Sequence, residues 1–496
     1  MEHCPIDSNV LALRRREGGL MRFISTRGGM IPAGFTDVLL SGLAPDGGLV
    51  VPESIPAIGR EQLEQWRSSN YSELAADVIG LFATDIPSRD LSALTAAAYG
   101  PERFPAPVVP VRRIDDIADG LTIVGLSEGP TMAFKDLAMQ FLGQAIPYVL
   151  DREGRVLNIL GATSGDTGSA AEHAFRGQDG VAVFMLSPLG RMSDVQRAQM
   201  YSLDDANIHN IAVDGVFDDC QNLVKALNND AAFKAAHSIG AVNSINIGRI
   251  AAQVVYYIWA WLRVTDAMGK GTRSDDVVDV AVPSGNFGNI YAGHLARAMG
   301  VPIRRLILAT NENNVLEEFF STGVYRPRGS AETLATSSPS MDISKASNLE
   351  RFIWQLLGPE EFERRWPALE ANGVLDLSDH VTRLSAQFGF VSGSSTHADR
   401  LATIRFVHSA AGELIDPHTA DGIAIALRLM EPDVPTLVLE TAKAAKFGET
   451  IAEALGTEYM RTTEIAALLD RPQHVITISN DTTPLRTLIA KNALHM

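Results

Sequence analysis

Gly129-Pro130-Thr131-Met132-Ala133-Phe134-Lys135-Asp136, read beside Ser284-Gly285-Asn286-Phe287-Gly288-Asn289, decides the reading of this chain. The first stretch opens a helix, because apolar residues at Phe134, Leu137, Ala138, Phe141, Leu142 and Ala145 recur at helical spacing and mark one buried face. Lys135 then lies in the first turn beside that face. A cation at a helix N-terminus is unfavourable and burial disfavours its charge, so both effects lower the amine pKa; a neutral amine is the form that attacks a carbonyl. Taken alone, a lysine at such a place reads as a solvated surface residue. In the second stretch, glycines let backbone N–H groups approach an anion, and the helix expected from Ile290 adds its positive end, so a terminal phosphate fits. Gly, Ser and Asn are equally what an ordinary strand-to-helix turn favours.

Around these stretches the chain alternates short β-branched runs with amphipathic helices. A strand over 156–160 leads through a glycine-rich turn to a helix over 169–176 and a strand over 181–186. A strand over 277–282, the turn at 284–289, a helix over 290–299 stopped by Gly300, and a strand over 303–309 repeat the order. Strand-helix-strand units imply parallel sheets covered by helices on both faces, an α/β architecture. Gly161-Ala162-Thr163-Ser164-Gly165-Asp166-Thr167-Gly168, the 284–289 turn and Thr441 each follow an expected strand directly. Ligands of parallel sheets bind at the carboxyl ends of strands, so all three can converge on one crevice. Neither glycine run has the spacing of a P-loop or a dinucleotide fingerprint.

The 496 residues exceed what one core normally serves, and 46% apolar with 20% charged residues describes a globular protein. A formal net charge of −17, from 42 Lys+Arg against 59 Asp+Glu, repels polyanions, and no basic-aromatic cluster offsets it, so nucleic acid is not an expected partner. A small anion is not excluded, because a few arginines and helix ends can focus positive potential in a cleft. The two cysteines, Cys4 and Cys220, form no CxxC and no zinc spacing; neither disulfides nor a metal are indicated, and a reducing cytoplasm is the expected location. No apolar run spans a bilayer, and Arg14-Arg15-Arg16 follows a short apolar run where a secretory signal would have it precede a long one. Met21 is a candidate alternative start. Residues 22–26 and 49–51 read as strands, 35–41 as a short helix, 58–100 as mostly helical, and the proline-rich stretch 101–110 as a linker.

Ser127 to Asp136, Ala162 to Gly168 and Pro283 to Asn289 together resemble the signatures of the threonine synthases, in the longer bacterial and fungal form. Ser25-Thr26-Arg27-Gly28 and Leu43-Ala44-Pro45-Asp46-Gly47-Gly48-Leu49 are similar to that family's N-terminal segment, and the likeness runs from about Met21 onward. The resemblance implies a tryptophan synthase β-like fold that binds pyridoxal 5'-phosphate through Lys135. Its organisation would be an irregular extension over 1–20, an N-terminal domain over 21–105, and a cofactor-binding catalytic region over 106–496 with the active site between two subdomains. The cofactor phosphate would rest on Gly285, Asn286, Phe287, Gly288 and Asn289, and the Thr441 hydroxyl would face the pyridine nitrogen. Unlike a carboxylate, a hydroxyl there does not hold the nitrogen protonated, so the ring is a more moderate electron sink.

The same resemblance places the substrate phosphate on Asn243, Ser244 and Arg249, and the amino-acid carboxylate on Ser164, Gly165 and Thr167. Arginine's donor fork suits a phosphate dianion, although Arg249 taken alone reads as a helix-surface residue. The implied substrate is O-phospho-L-homoserine, converted with water to L-threonine and phosphate. Two alternatives stay open: a phospholyase releasing a keto acid and ammonia from the same substrate, and a catalytically silent ligand-binding homologue. Oligomeric state, monomer or homodimer, is open as well. Two positions depart from the family. Glu128 stands where many relatives carry His. Asp166 stands where related fold members carry Asn beside the cofactor's ring oxygen, which a carboxylate would repel, so Asp166 is expected to be protonated, turned away or, preferentially, a helix cap. His418 in Asp416-Pro417-His418-Thr419-Ala420 and the segment Met341-Asp342-Ile343-Ser344 also echo the family; His418 reads equally as a helix-start residue. Arg191-Met192-Ser193 reads as an active-site loop.

Overall fold

The computed structural model describes residues 19–241, 243–267, 276–458 and 461–495. Most of the extension expected over 1–20, together with Cys4 and the arginine triplet, lies outside the described residues.

Two parallel sheets form the frame, as the alternation predicts. The larger has six strands in the order Phe390–Ser394, Ile303–Thr310, Val278–Pro283, Thr436–Glu440, Leu121–Gly125 and Val111–Arg113, all parallel but for the last pair. The smaller has five parallel strands in the order Ile476–Ser479, Ile208–Asp214, Val181–Pro188, Leu157–Ala162 and Ile239–Gly240. Every residue of Val181–Pro188, Leu121–Gly125 and Thr436–Glu440 is buried, the pattern of strands covered on both faces. The expected strands at 156–160, 277–282 and 303–309 are found with their ends displaced by a residue or two.

The two sheets are bridged by the helix Lys135–Glu153, which starts beyond the Leu121–Gly125 strand of one sheet and leads to the Leu157–Ala162 strand of the other. It crosses the helix Asp166–Phe175 at Gly143, where a side chain would overlap the Ala174 backbone, so the glycine sets how close the two helices lie. Behind it runs the helix Ile247–Ala267, with Tyr256, Tyr257 and Trp261 fully buried.

The N-terminal segment forms the antiparallel pair Phe23–Ser25 and Val50–Pro52, the expected helix Phe35–Ser41, and the helices Tyr71–Gly80 and Ser88–Ala98. Its apolar residues belong to one continuous core with the Lys135–Glu153 and Ile247–Ala267 helices. Polar ties reinforce the contact: Asn246 Nδ2 donates to the Leu39 carbonyl at 2.8 Å, and Arg351 Nε to that of Val50 at 2.9 Å. Residues 101–110 form turns and bends without a helix or strand. No helix among the described residues is long and apolar enough to cross a membrane.

Candidate active site

The lysine turn is held from both sides. Asp136 accepts the Thr131 N–H at Oδ2 (2.8 Å) and the Thr131 hydroxyl at Oδ1 (2.7 Å), folding residues 129–135 back on the helix start. Burial pushes the Asp136 carboxyl up to about 6, against the hydrogen bonds that lower it. Gly129 has no room for a side chain: a Cβ there would sit 2.5 Å from Asp136 Cβ. Met132 takes a left-handed φ of 56° in the same turn. Across the crevice, the Phe134 N–H donates to the Thr441 carbonyl (2.9 Å) and the Lys443 N–H to that of Met132 (3.2 Å), so the chain leaving Thr436–Glu440 lies against the lysine turn. The backbone segments that carry Thr441 and Lys135 are thereby adjacent.

Lys135 is the first residue of its helix, with a side chain 14% exposed. Its Nζ stands 3.4 Å from Asp166 Oδ2 and 5.4 Å from the Phe134 ring centroid. Burial lowers the lysine pKa, Lys446 and Arg249 push it the same way, and Asp166 opposes them. The surface-lysine reading is excluded. Asp166 does not cap its helix, contrary to the preferred expectation: Gly165 occupies the cap position and the carboxylate points into the crevice. Its Oδ1 accepts from Lys446 Nζ at 2.6 Å and Gln196 Nε2 at 3.1 Å, and its Oδ2 from the Ser340 hydroxyl at 2.7 Å. Burial alone would raise Asp166, but the positive charges of Lys446 and Lys135 hold it well below the usual carboxylate range.

Two sets of anion donors flank this cluster. The glycine-rich loop connects Val278–Pro283 to the helix Gly288–Met299, which begins two residues earlier than expected and so brings Gly288 and Asn289 into its first turn. Phe287 has φ of 63°, and a Cβ on Gly285 would stand 2.9 Å from Ile343 Cγ1. The Tyr256 and Tyr257 hydroxyls both donate to Asn289 Oδ1, at 2.7 and 2.9 Å, which leaves Asn289 Nδ2 buried without a partner; the Ser284 hydroxyl is likewise buried and unpaired. The Asn286 carbonyl is bound by Asn348.

The second set centres on Arg249, in the first turn of Ile247–Ala267. It is 3% exposed, contrary to a surface reading, and its Nε and Nη1 have no protein partner. Burial lowers it to about 10. Asn243 Oδ1 accepts the Ile245 N–H at 3.1 Å, forming the turn into that helix, and Ser244 lies half-buried beside it. In the 161–168 loop the Gly165 N–H is turned inward to Thr163 Oγ1 (3.0 Å), so it is not a free donor as expected. Ser164 is exposed and Thr167 half-buried.

Three family models match in tandem: threonine synthase N terminus over 22–99, pyridoxal-phosphate dependent enzyme over 101–362, and threonine synthase, C-terminal, over 419–489. The chain is 52% identical to a threonine synthase of Corynebacterium glutamicum, over 95% of this chain and 98% of that one. The chain belongs to the threonine synthase family. A second relative, threonine synthase of Methylobacillus glycogenes, is 50% identical over 95% of this chain and 100% of its own. The solved structure of PLP-bound threonine synthase from Brucella melitensis superposes with a TM-score of 0.89 at 38% identity, covering 96% of this chain and all of that one. The expected fold class is therefore the observed one.

Several members of this threonine synthase site escaped the sequence reading. Lys446, side chain 1% exposed, lies five residues beyond Thr441 and also donates to the Thr131 carbonyl at 3.0 Å. Ser340 immediately precedes the singled-out Met341, and Gln196 lies in the helix that Ser193 caps, just beyond the Arg191 to Ser193 segment. His418 Nε2 accepts the Ser340 N–H at 3.1 Å, which leaves its Nδ1 proton for Asp416 at 2.7 Å; as a helix-start residue it fixes the Ser340 turn. Glu128 is engaged in an ion pair with Lys443. Replacing Gly129 with Ala forces Asp136 off its hydrogen bonds to Thr131. We expect a loss of about 1–3 kcal/mol in unfolding free energy, read by denaturant titration, with slower modification of Lys135; an unchanged denaturation midpoint and unchanged Lys135 reactivity would refute the tight-turn account.

Proposed function

We propose that this chain is a threonine synthase that converts O-phospho-L-homoserine and water to L-threonine and phosphate, using pyridoxal 5'-phosphate, in the reducing cytoplasm. The observation that carries the two-phosphate reading is Arg249: a buried guanidinium with unpaired Nε and Nη1 at a helix start, separate from the backbone cradle at 285–289. An arginine desolvated without a counterion is costly unless an anion completes it. The cradle itself fits a cofactor phosphate, with unpaired Asn289 Nδ2 and Ser284 Oγ beside a helix N-terminus.

The cofactor supplies a carbonyl for amines and a ring that accepts the electron pair released at Cα. In this reading Lys135 holds the cofactor, takes protons from the substrate Cα and then Cβ so that the Cβ electron pair expels phosphate from Cγ, and returns protons to Cγ and Cα as water adds its oxygen at Cβ. Its neutral form, favoured by burial, is the one able to accept that proton. Arg249, Asn243 and Ser244 hold the departing phosphate and offset its growing charge. Ser164 and Thr167 orient the carboxylate, while Thr441 faces the ring nitrogen without protonating it.

Product analysis tests the activity: O-phospho-L-homoserine should give L-threonine and phosphate in equal amounts, and a keto acid with ammonia in their place would make the chain a phospholyase. Borohydride reduction of the loaded protein should leave the cofactor on the Lys135 peptide, and Lys135→Ala should abolish that adduct; an adduct on another lysine would remove Lys135 from its role. Arg249→Ala should cost about 2–4 kcal/mol of transition-state binding, roughly 30- to 1,000-fold in kcat/KM, with cofactor affinity nearly unchanged. Loss of the cofactor with substrate affinity retained would mean that the two phosphate sites are reversed.

A further inference from the structure

Two lysines and one carboxylate share the floor of the crevice, and their geometries are unequal. Lys446 Nζ lies 2.6 Å from Asp166 Oδ1 and 3.0 Å from the Thr131 carbonyl, so two acceptors fix it. Lys135 Nζ lies 3.4 Å from Asp166 Oδ2, an oxygen already bound by the Ser340 hydroxyl at 2.7 Å. Coulomb attraction falls with distance and grows as water is excluded, so the closer and more buried ammonium is the better counterion for Asp166. Asp166 is thereby shared unequally, and the proton on Lys135 has the longer and weaker of the two contacts.

We propose that Lys446 is a positioning residue for the Lys135 amine: by serving as the closer counterion of Asp166, it weakens the hold of that carboxylate on the Lys135 proton, so that the amine more readily attacks and accepts a proton. The proposal rests on the reading of Lys135 as the cofactor lysine and adds how its reactivity is set. The charged groups facing Lys135 are Asp166 from the Asp166–Phe175 helix, Lys446 from the turn after Thr436–Glu440, and Arg249 from the Ile247–Ala267 helix. Asp136, on its own helix, is turned to Thr131. Arg249 and Lys446 act in the same direction on Lys135, against Asp166. Without Lys446, Asp166 would be left with Lys135 as its nearest cation, and the pair would close into a salt bridge that holds a proton on the reacting amine.

The test uses the full-length chain freed of cofactor. Pyridoxal phosphate is added across neutral to alkaline pH, samples are quenched with borohydride, and the adduct on the Lys135 peptide is quantified by mass spectrometry to give a rate against pH. Lys446→Met should move the midpoint of that profile upward by about one pH unit and slow capture below the midpoint roughly tenfold. Lys446→Arg should keep the wild-type midpoint. Asp166→Asn, alone or combined with Lys446→Met, should not raise the midpoint, because the carboxylate that would hold the proton is gone. A purely structural role for Lys446 would lower the rate of Lys446→Met without moving its midpoint, and that result overturns the proposal. If Lys446→Met does not fold, a raised midpoint in Asp166→Asn overturns it instead. An adduct on a lysine other than Lys135 in the wild type would refute the underlying reading of the cofactor lysine, an outcome distinct from an unmoved midpoint on Lys135.

Discussion

The Asp166 carboxylate is the point on which this molecule's two sheets agree. It is carried by the five-stranded sheet, yet its partners Lys446 and Lys135 follow strands of the six-stranded sheet, and Ser340 comes from the long connection beyond that sheet's Ile303–Thr310 strand. A buried carboxylate is costly unless fully paired, and removing one partner of a buried pair leaves an uncompensated charge. The cluster is therefore satisfied only when both sheets are in register across the crevice. The close crossing at Gly143 supplies the apolar counterpart of the same constraint, since it places Lys135 and Asp166 on helices whose separation is fixed by a missing side chain.

Electrostatically the crevice is a positive pocket in a strongly acidic protein. Lys446 and Arg249 face the crevice where the net charge of the whole is −17, and the Gly288–Met299 and Ile247–Ala267 helices add their N-termini. Such focusing explains how a chain that repels polyanions holds small phosphorylated molecules. Buried donors of Arg249, Asn289 and Ser284 have no protein partner, which is hydrogen-bonding capacity that a small anion could take up.

Most of the frame was legible because it is written in local patterns. The runs 181–186 and 303–309 are mainly apolar, include β-branched residues and are bounded by turn residues, and the 284–289 loop sits where strand period changes to helix period. Lys135 was legible with its partial burial, from the apolar helix face beside it, whereas the burial of Arg249 was not, because it comes from helices and loops distant in sequence. The partners of Asp166 were not legible for the same reason: Lys446, its shortest contact, lies 280 positions away. Gln196 and Ser340 have no local signature; only the fold aims them at one carboxylate. The inward turn of the Gly165 N–H likewise follows from Thr163, whose hydroxyl reads in sequence as one more polar residue of a loop.

The strand order has a temporal consequence. Thr436–Glu440 lies between Val278–Pro283 and Leu121–Gly125, so a ribosome must synthesise most of the chain before the six-stranded sheet can close. Until then two interior strands carry open ladder groups, a state prone to mispairing. The segment that fills the gap also delivers Thr441 and Lys446, and the strand Ile476–Ser479 completes the edge of the second sheet later still. Completion of the crevice is thus one of the last events for a newborn chain, and a truncated product lacking these segments would be left with an unsatisfied sheet and no finished crevice.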